Sequence, residues 1–275
     1  MSSSTAATSI ISTDTVFLPP SIETRSLSIG YPIRGGLNRV VHSGLDLQLY
    51  AGGVTCLLGR NGSGKSTLLR TLCGLLKPLS GEIILEGRPL ETYTPEERAS
   101  KVGVVLTDRG FPGAITVYEL VSMGRYPHTD FFGNLEEEDH AIVRESLEMV
   151  GIDAKADRML AELSDGERQK AYIAKVLAQE CPVILLDEPT AFLDVPSRLE
   201  TWETLKLLAR VRQKAILLTT HDLESAIRTA DLLWLLPEVT VTSSSVALLS
   251  GKPAELVADG TLDRFFGTHI PMSVL

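Results

Sequence analysis

Residues 59–66, Gly-Arg-Asn-Gly-Ser-Gly-Lys-Ser, have the residue types and spacing of a loop that binds phosphate groups. We call this segment the phosphate loop. Its glycines let the backbone curl so that successive N–H groups face a phosphate, and a helix predicted to begin near Lys65 adds its positive N-terminal end. The Lys65 ammonium would neutralise the β- and γ-phosphate oxygens, and the Ser66 hydroxyl would bind Mg²⁺. We therefore predict ATP and Mg²⁺ as cofactors. The candidate nucleotide-binding residues are Gly59, Arg60, Asn61, Gly62, Ser63, Gly64, Lys65, Ser66 and Thr67.

Two acids, Asp187 and Glu188, follow the apolar run at residues 183–186. A strand buried on both faces delivers its last residues to the carboxyl edge of a parallel sheet, where α/β proteins bind ligands. We expect Asp187 to bind Mg²⁺ and Glu188 to polarise the attacking water. The alternative is that both acids merely begin a solvated turn. A complete phosphate loop in the same chain favours the catalytic interpretation.

Alternating strands and helices must position these residues, which predicts an α/β fold with a mostly parallel sheet. Pro78 is expected to end the first helix, and Thr94-Pro95-Glu96-Glu97 has the pattern of a helix start. The predicted strands lie at residues 27–31, 45–49, 54–58, 82–85, 102–106, 183–186 and 215–218, and the main helices at 65–76, 168–178 and 196–211.

A helical block at residues 117–159 interrupts the alternation and predicts an inserted subdomain at about residues 113–170. Val143, Leu147 and Val150 share one helix face, and Gly151 marks the end of that helix. Residues 1–20 are predicted to be a flexible tail, and residues 21–275 a single domain. A hairpin from Val239 and a short helix from about Pro253 are expected in its C-terminal part, residues 237–275.

The composition narrows the class of protein. The net charge of −9 over 275 residues provides no basic field for nucleic acid, so no nucleic-acid partner is expected. No stretch approaches the roughly 18 apolar residues of a membrane-spanning helix, and residues 1–15 lack the pattern of a secretory signal. Cys56, Cys73 and Cys181 lie in apolar runs without metal-ligand spacing, which predicts buried reduced thiols in the cytosol.

Residues 163–167, Leu-Ser-Asp-Gly-Glu, resemble the signature motif of ABC ATPases, usually Leu-Ser-Gly-Gly-Gln. We call them the signature segment. Ser164 and Glu167 also have the spacing of a capping box, so the segment is expected to begin a helix as well. The resemblance implies a P-loop NTPase core with an N-terminal antiparallel β subdomain. It also implies that Ser164 and Gly166 bind the γ-phosphate held by a second copy of the chain.

Further matches extend this resemblance over about residues 24–236. Asp194, in Ala-Phe-Leu-Asp at residues 191–194, is similar to the D-loop aspartate at the dimer interface. His221 is similar to the switch histidine that contacts the γ-phosphate, although a lone histidine after a strand is ordinarily unremarkable. Tyr31 stands where the family has an aromatic residue that stacks on adenine; the alternative is a core tyrosine at a strand end.

Two positions depart from the family pattern. Thr107 stands where the family has a glutamine that binds Mg²⁺ and contacts the membrane partner. Thr107 is therefore a candidate metal ligand, with Asp108 or a water as alternatives. Asp165 replaces a glycine of the signature motif, and its charge should point away from a phosphate site.

Residues 123–128, Met-Gly-Arg-Tyr-Pro-His, resemble a segment of importer ATPases for ferric siderophores, haem and cobalamin; an ordinary loop is the alternative. The resemblance implies a homodimer on the cytoplasmic face of the membrane, joined to permease subunits and indirectly to a substrate-binding protein. Residues 136–139 are expected at a docking rim or at a solvated helix start. A soluble ABC ATPase without a membrane partner and a P-loop kinase or switch remain as other functions.

Overall fold

The computed structural model describes residues 19–33, 35–106, 114–130, 132–191, 193–238, 248–271 and 274. The predicted α/β class is confirmed. The strands are β1 (Ile22–Tyr31), β2 (Arg39–Leu45), β3 (Gln48–Leu49), β4 (Val54–Leu58), β5 (Ser80–Leu85), β6 (Arg88–Pro89), β7 (Val102–Val105), β8 (Val183–Leu186), β9 (Ala215–Thr219), β10 (Leu232–Leu235) and β11 (Leu249–Gly251). The α-helices are α1 (Lys65–Leu72), α2 (Pro95–Lys101), α3 (Val117–Ser122), α4 (Glu137–Met149), α5 (Asp165–Ala178), α6 (Val195–Val211), α7 (Leu223–Thr229), α8 (Pro253–Ala258) and α9 (Thr261–Phe266).

A six-stranded sheet forms the centre of the fold. Its order is β11-β10-β4-β9-β8-β7, and every pairing is parallel except that of β11 with β10. All residues of β4, β8 and β9 are buried, because elements cover both faces of the sheet. This two-sided burial explains why these strands are mostly apolar in the sequence, with Thr55 and Thr219 as the exceptions.

Side chains of each central strand alternate between two cores. Cys56 and Leu58 of β4 face one core with α3, α4, α5 and α6, whereas Leu57 faces the other. The second core also contains Leu68, Leu69 and Leu72 of α1 and apolar residues of β1 and β5. Helix α1 is therefore packed between the six-stranded sheet and an antiparallel sheet.

The antiparallel sheet has the order β2-β1-β5-β6, with β3 pairing to β1. Strand β1 begins at Ile22, five residues before its predicted start. The single strand predicted at residues 45–49 is wrong: β2 ends at Leu45 and β3 begins at Gln48. The Thr24 hydroxyl donates to the Leu45 carbonyl and accepts from the Leu47 N–H, which fixes the break between the two strands.

Helix α1 ends at Leu72 rather than near Leu76. Gly74 takes a left-handed conformation with φ of 75°, and its N–H donates to the Thr71 carbonyl. A left-handed glycine of this kind ends a helix, so Pro78 is not the stop signal. The capping box predicted at Thr94 and Glu97 is present at the start of α2.

The helical block consists of α3, a 3-10 helix at Met123–His128, α4 and α5, which pack on one another. Val143, Leu147 and Val150 are buried on one face of this block, as predicted. Gly151, with φ of 66°, follows the last turn of α4, which confirms the predicted end. The division of the chain into a tail, a core and an inserted subdomain stays a prediction.

The predicted hairpin from Val239 falls mainly on residues 239–247, which lie outside the described part of the chain. Strand β10 was not predicted, and neither was α9, whereas the predicted helix at Pro253 is present as α8. Cys56 and Cys181 are buried as free thiols, and Cys73 is partly exposed. None of the described helices is long and apolar enough to cross a membrane.

Arg125 is buried and joins three parts of the helical block. Its Nε donates to Asp139 Oδ1 of α4 at 2.8 Å, and its Nη1 donates to the Ala178 carbonyl and to Glu180, both at 2.7 Å. Residues 136–139 lie at the start of α4, as one expectation had it; Glu136, Glu137 and Glu138 are exposed, whereas Asp139 is buried. The Glu136 N–H and the Arg125 guanidinium hold the pKa of Asp139 below its usual value.

We expect Arg125→Ala to lower the free energy of unfolding by about 3 kcal/mol, because it leaves the buried Asp139 carboxylate without its cation. Urea denaturation of the purified chain would measure this. Glu180→Gln is the matched control, since Glu180 is half exposed and its loss should cost less than about 1 kcal/mol. Equal losses in the two variants would contradict the assignment of Asp139 as the principal partner.

Candidate functional site

The phosphate loop connects β4 to α1, so it lies at the carboxyl edge of the central sheet. Lys65 is buried, and its ammonium donates to the carbonyl of Gly59 at 2.8 Å and to that of Arg60 at 3.3 Å. The Ser63 hydroxyl is buried and has no hydrogen-bond partner among the described residues. A cation held across the loop beside an unpaired hydroxyl can bind an anion.

Two glycines of the loop have no room for a side chain. A Cβ on Gly59 would lie 2.6 Å from the Leu236 carbonyl oxygen. Gly64 has a left-handed φ of 99°, and a Cβ there would lie 2.5 Å from Val41 Cγ1. The loop is thus held in its curve by β2 and by the segment that follows β10.

Asp187 and Glu188 follow β8 at the same edge, two strands from β4. Asp187 is buried, and its Oδ1 accepts a hydrogen bond of 2.8 Å from the Thr219 hydroxyl. Glu188 has a left-handed φ of 50°, and its N–H donates to the same hydroxyl oxygen. A Glu188 carboxylate oxygen lies 3.4 Å from His221 Nδ1.

The charges of the two acids act on Lys65 of the phosphate loop. Burial lowers the pKa of Lys65, whereas the negative charges of Glu188 and Asp187 act in the opposite direction. His221 and the start of the phosphate loop also line one cavity of about 260 Å³. The structure therefore brings together the predicted lysine, both acids and the histidine.

Phe266 of α9 lines the same cavity, together with Arg60, Asn61 and Leu223. Arg60 forms an ion pair of 2.8 Å with Glu238, which follows β10. The C-terminal part of the chain thus borders the phosphate loop. Neither contact was predicted, because no local sequence pattern indicates which loop a C-terminal helix will meet.

Tyr31, at the end of β1, lies beside the start of α1. Its hydroxyl is 3.1 Å from Thr67 Oγ1, and the residue is 42% exposed. It is therefore not the core tyrosine that was the alternative. An exposed ring next to the phosphate loop is free to stack on a planar group.

The signature segment lies at the start of α5. The predicted capping box is present: the Ser164 hydroxyl accepts from the Glu167 N–H, and the Glu167 carboxylate accepts from the Ser164 N–H. Asp165 is exposed and its carboxylate pairs with Arg168 at 3.1 Å. The position of Gly166 has little free space, since a Cβ there would lie 2.9 Å from Ser197 Oγ.

Asp194 caps α6, because its carboxylate accepts the Ser197 N–H at 3.0 Å. Ser197 therefore touches both Asp194 and the signature segment. None of the described hydrogen bonds or ion pairs joins Ser164 or Gly166 to the phosphate loop of the same chain. Thr107 and Asp108, the candidates for a further metal ligand, lie outside the described residues, as does Phe192.

His42 is a residue of the site that was not predicted. It is buried in β2, and its Nε2 lies 2.7 Å from the Ser63 carbonyl oxygen. Burial lowers the pKa of His42, which favours the neutral ring donating an Nε2–H to that carbonyl. A lone histidine in a strand has no distinguishing spacing, so only the tertiary structure reveals this contact with the phosphate loop.

The chain resembles known proteins over most of its length. A family model described as ABC transporter matches residues 42–191, more than half of the chain. An ABC transporter ATP-binding protein of Methanocaldococcus jannaschii is 43% identical over 210 residues, which are 76% of this chain and 71% of that protein.

The chain belongs to the ATP-binding subunits of ABC transporters. This ABC ATPase also resembles the ferric enterobactin transport ATP-binding protein FepC of Escherichia coli, with 38% identity and 82% of each chain covered. The achromobactin transport ATP-binding protein CbrD of Dickeya dadantii is 37% identical, with 89% of this chain and 87% of that protein covered.

Two solved structures share the fold of the ABC ATPase. One is assigned to an inward-facing metal-chelate type ABC transporter, with a TM-score of 0.75, 27% identity, and 90% of this chain and 89% of that chain covered. The other is a dimeric ATP-binding cassette bound to ADP and inorganic phosphate, with a TM-score of 0.70, 25% identity, and 84% and 98% covered. The chain is therefore an enzyme that binds and hydrolyses ATP.

We expect His42→Phe to weaken ATP binding about 5- to 10-fold, since it removes one buried hydrogen bond to the phosphate loop. His42→Gln keeps an N–H donor and should bind ATP more tightly than His42→Phe. Equilibrium titration with a fluorescent ATP analogue would measure both. If His42→Phe binds as tightly as the unmodified chain, the contact with Ser63 does not support the loop.

Proposed function

We propose that this ABC ATPase is the motor of an importer that takes up a ferric siderophore or a related metal chelate through a membrane permease. The observation that supports ATP hydrolysis is that the phosphate loop, Asp187, Glu188 and His221 lie at one edge of the sheet. Binding and hydrolysis of ATP between two copies of the chain would drive the permease to change conformation.

The phosphate loop supplies the nucleotide contacts in this proposal, with Gly59, Arg60, Asn61, Gly62, Ser63, Gly64, Lys65, Ser66 and Thr67 around the phosphates. Lys65 would leave the two loop carbonyls and pair with the β- and γ-phosphate oxygens. The buried Ser63 hydroxyl, which has no partner among the described residues, supports this role because a phosphate oxygen would give it one.

Ser66 and Asp187 are proposed to hold Mg²⁺. One serine hydroxyl and one buried carboxylate next to the phosphate loop fit an ion that takes few protein ligands and completes its shell with phosphate oxygens and water. Thr107 stays a proposed third ligand. When bound, Mg²⁺ neutralises charge on the transferring phosphate.

Glu188 is proposed to orient the attacking water and accept its proton. His221 is proposed to contact the γ-phosphate, and its ring lies within 3.4 Å of the Glu188 carboxylate. Attack breaks the bond from the γ-phosphorus to the bridging oxygen, and ADP leaves with that electron pair. Lys65 and His221 stabilise the negative charge that develops.

A second copy of the chain would complete each site. Ser164 and Gly166 are proposed to bind the γ-phosphate held by the partner, through the Ser164 hydroxyl, the Gly166 N–H and the positive end of α5. Asp194 would lie at the same dimer interface, because Ser197 links it to the signature segment. Tyr31 is proposed to stack on adenine. A related cassette is dimeric with ADP and phosphate bound, which supports this arrangement.

The permease is proposed to dock in a groove between the core and the helical block. The groove has a volume of about 420 Å³, and its walls include Leu75, Arg98, Met123, Tyr126 and Pro127. Leu75 and Tyr126 are exposed apolar residues. We call this surface the docking groove. The chain would then be peripheral on the cytoplasmic face of the membrane.

The cargo class is proposed from the relatives. Two of them are named for transport of ferric enterobactin and achromobactin. Residues 123–128 resemble a segment of importer ATPases for ferric siderophores, haem and cobalamin. Haem and cobalamin are the alternative cargoes. Reconstitution in vesicles with the permease and binding protein, and uptake assays with a ferric siderophore, haem and cobalamin in turn, would decide among them. Uptake of none of the three would contradict the proposed cargo class.

We expect Glu188→Gln to slow ATP hydrolysis by about 100-fold or more while ATP binding is kept, because the amide cannot accept the proton of water. Gel filtration with ATP should show a longer-lived dimer than the unmodified chain forms. Glu203→Gln, an exposed acid on α6, is the control and should hydrolyse ATP normally. Hydrolysis by Glu188→Gln at the unmodified rate would rule out the role proposed for Glu188.

We expect Tyr126→Glu to abolish transport and co-purification with the permease, because it replaces an exposed aromatic ring of the docking groove by a charged group. The ATPase rate of the isolated subunit should not change. Leu207→Glu is the matched control, since Leu207 is a half-exposed apolar residue on α6, outside the groove. Normal transport by Tyr126→Glu would show that the permease binds elsewhere.

A further inference from the structure

The hydroxyl of Thr219 joins the two acids that follow β8. It donates a hydrogen bond to Asp187 Oδ1 at 2.8 Å, and its oxygen accepts the Glu188 N–H at 2.8 Å. Thr219 is the last residue of β9, the strand between β4 and β8. It pairs with Leu57, two residues before the phosphate loop. One hydroxyl therefore contacts consecutive residues of the neighbouring strand end.

Packing alone does not account for a hydroxyl at this place. The other residues of β9 are Ala215, Ile216, Leu217 and Leu218, and all are fully buried, as is Thr219. A valine would fill the same volume and suit a buried strand equally well. The Thr219 hydroxyl is explained instead by two polar groups at the end of β8, the Asp187 carboxylate and the Glu188 N–H, because polar groups in the interior need hydrogen-bond partners.

The bond to Glu188 matters because the backbone there is strained. A glutamate with a φ of 50° is in the left-handed region, which residues other than glycine rarely occupy. Such a conformation persists only where its surroundings hold it. The Thr219 oxygen fixes the Glu188 N–H, and the side chain is thereby directed toward His221, 3.4 Å away.

The bond to Asp187 fixes a second group. A buried carboxylate has two oxygens, and a donor on Oδ1 restricts its rotation. Because the same threonine oxygen also accepts from Glu188, the hydroxyl hydrogen is directed toward Asp187 rather than elsewhere. The orientation of the Asp187 carboxylate and the backbone of Glu188 are thus coupled through a single atom.

We propose that Thr219 is a positioning residue for ATP hydrolysis, which holds the Asp187 carboxylate and the Glu188 backbone in their working geometry. The inference rests on the roles proposed above for these two acids. Thr219 does not touch the reacting atoms; it acts only through its neighbours. Its contribution lies in the rate of hydrolysis and in the response to Mg²⁺, not in holding ATP itself.

The test compares Thr219→Val, which removes the hydroxyl at constant volume, with Thr219→Ser, which keeps it. We expect Thr219→Val to lower kcat about 10- to 100-fold, with little change in ATP affinity measured in EDTA. The tightening of ATP binding on adding Mg²⁺ should shrink. Thr219→Ser should recover most of both properties.

Thr24→Val is the matched control. Thr24 is also a buried threonine at a strand, and its hydroxyl likewise donates to one group and accepts a backbone N–H, at 2.8 and 2.9 Å. It lies in the antiparallel sheet, away from the acids. If Thr24→Val lowers kcat as much as Thr219→Val does, the loss comes from a general decrease in stability. That result would overturn the proposal.

The double variant Thr219→Val/Glu188→Gln tests whether Thr219 acts through Glu188. Because Thr219 acts through Glu188 as well as through Asp187, Thr219→Val should slow single-turnover hydrolysis less in the Glu188→Gln background than in the unmodified chain. Multiplied losses would overturn the proposal, and so would equal rates for Thr219→Val and Thr219→Ser. If Thr219→Val does not fold, Thr219→Ala takes its place with the same expectations. A normal rate for Glu188→Gln would instead refute the proposed role of Glu188 itself.

Discussion

The register of three neighbouring parallel strands is the constraint on which the site depends. Leu57 of β4 pairs with Thr219 of β9, and Leu218 of β9 pairs with Leu186 of β8. The carboxyl ends of the three strands therefore lie side by side. The phosphate loop, His221 and the two acids all follow these strand ends. A shift of one residue in either pairing would turn the side chains to the opposite core and move the polar groups apart.

Three polar side chains at this edge are buried and hydrogen-bonded to other groups of the chain. Lys65 is satisfied by two loop carbonyls, His42 by the Ser63 carbonyl, and Asp187 by Thr219. A ligand that binds here replaces hydrogen bonds that these groups already make within the protein. It does not replace hydrogen bonds to solvent water. The signature segment differs, because its capped helix start lies on the helical block without described bonds to the phosphate loop. A second copy of the chain is the natural source of the missing contacts.

Much of this arrangement could be predicted from the sequence, because apolar strands and the residues that follow them carry strong signals. The phosphate loop, the acids and the capping boxes are local patterns with a physical cause. The end of α1 was predicted wrongly because Pro78 was preferred over Gly74, whose left-handed conformation is decided by the structure. His42 and Thr219 could not be predicted: their hydrogen bonds cross between strands that are distant in sequence. Strand β10, only four residues long, and α9 were missed for want of a distinguishing pattern.

The most direct test of the paired site mixes two inactive variants, Lys65→Ala and Ser164→Arg. Each variant alone forms dimers in which both sites are damaged. A mixed dimer has one site with an intact phosphate loop from one chain and an intact signature segment from the other. We expect mixing of the two variants to restore ATP hydrolysis. Hydrolysis that stays absent after mixing, with mixed dimers shown to form, would contradict a site shared between two chains.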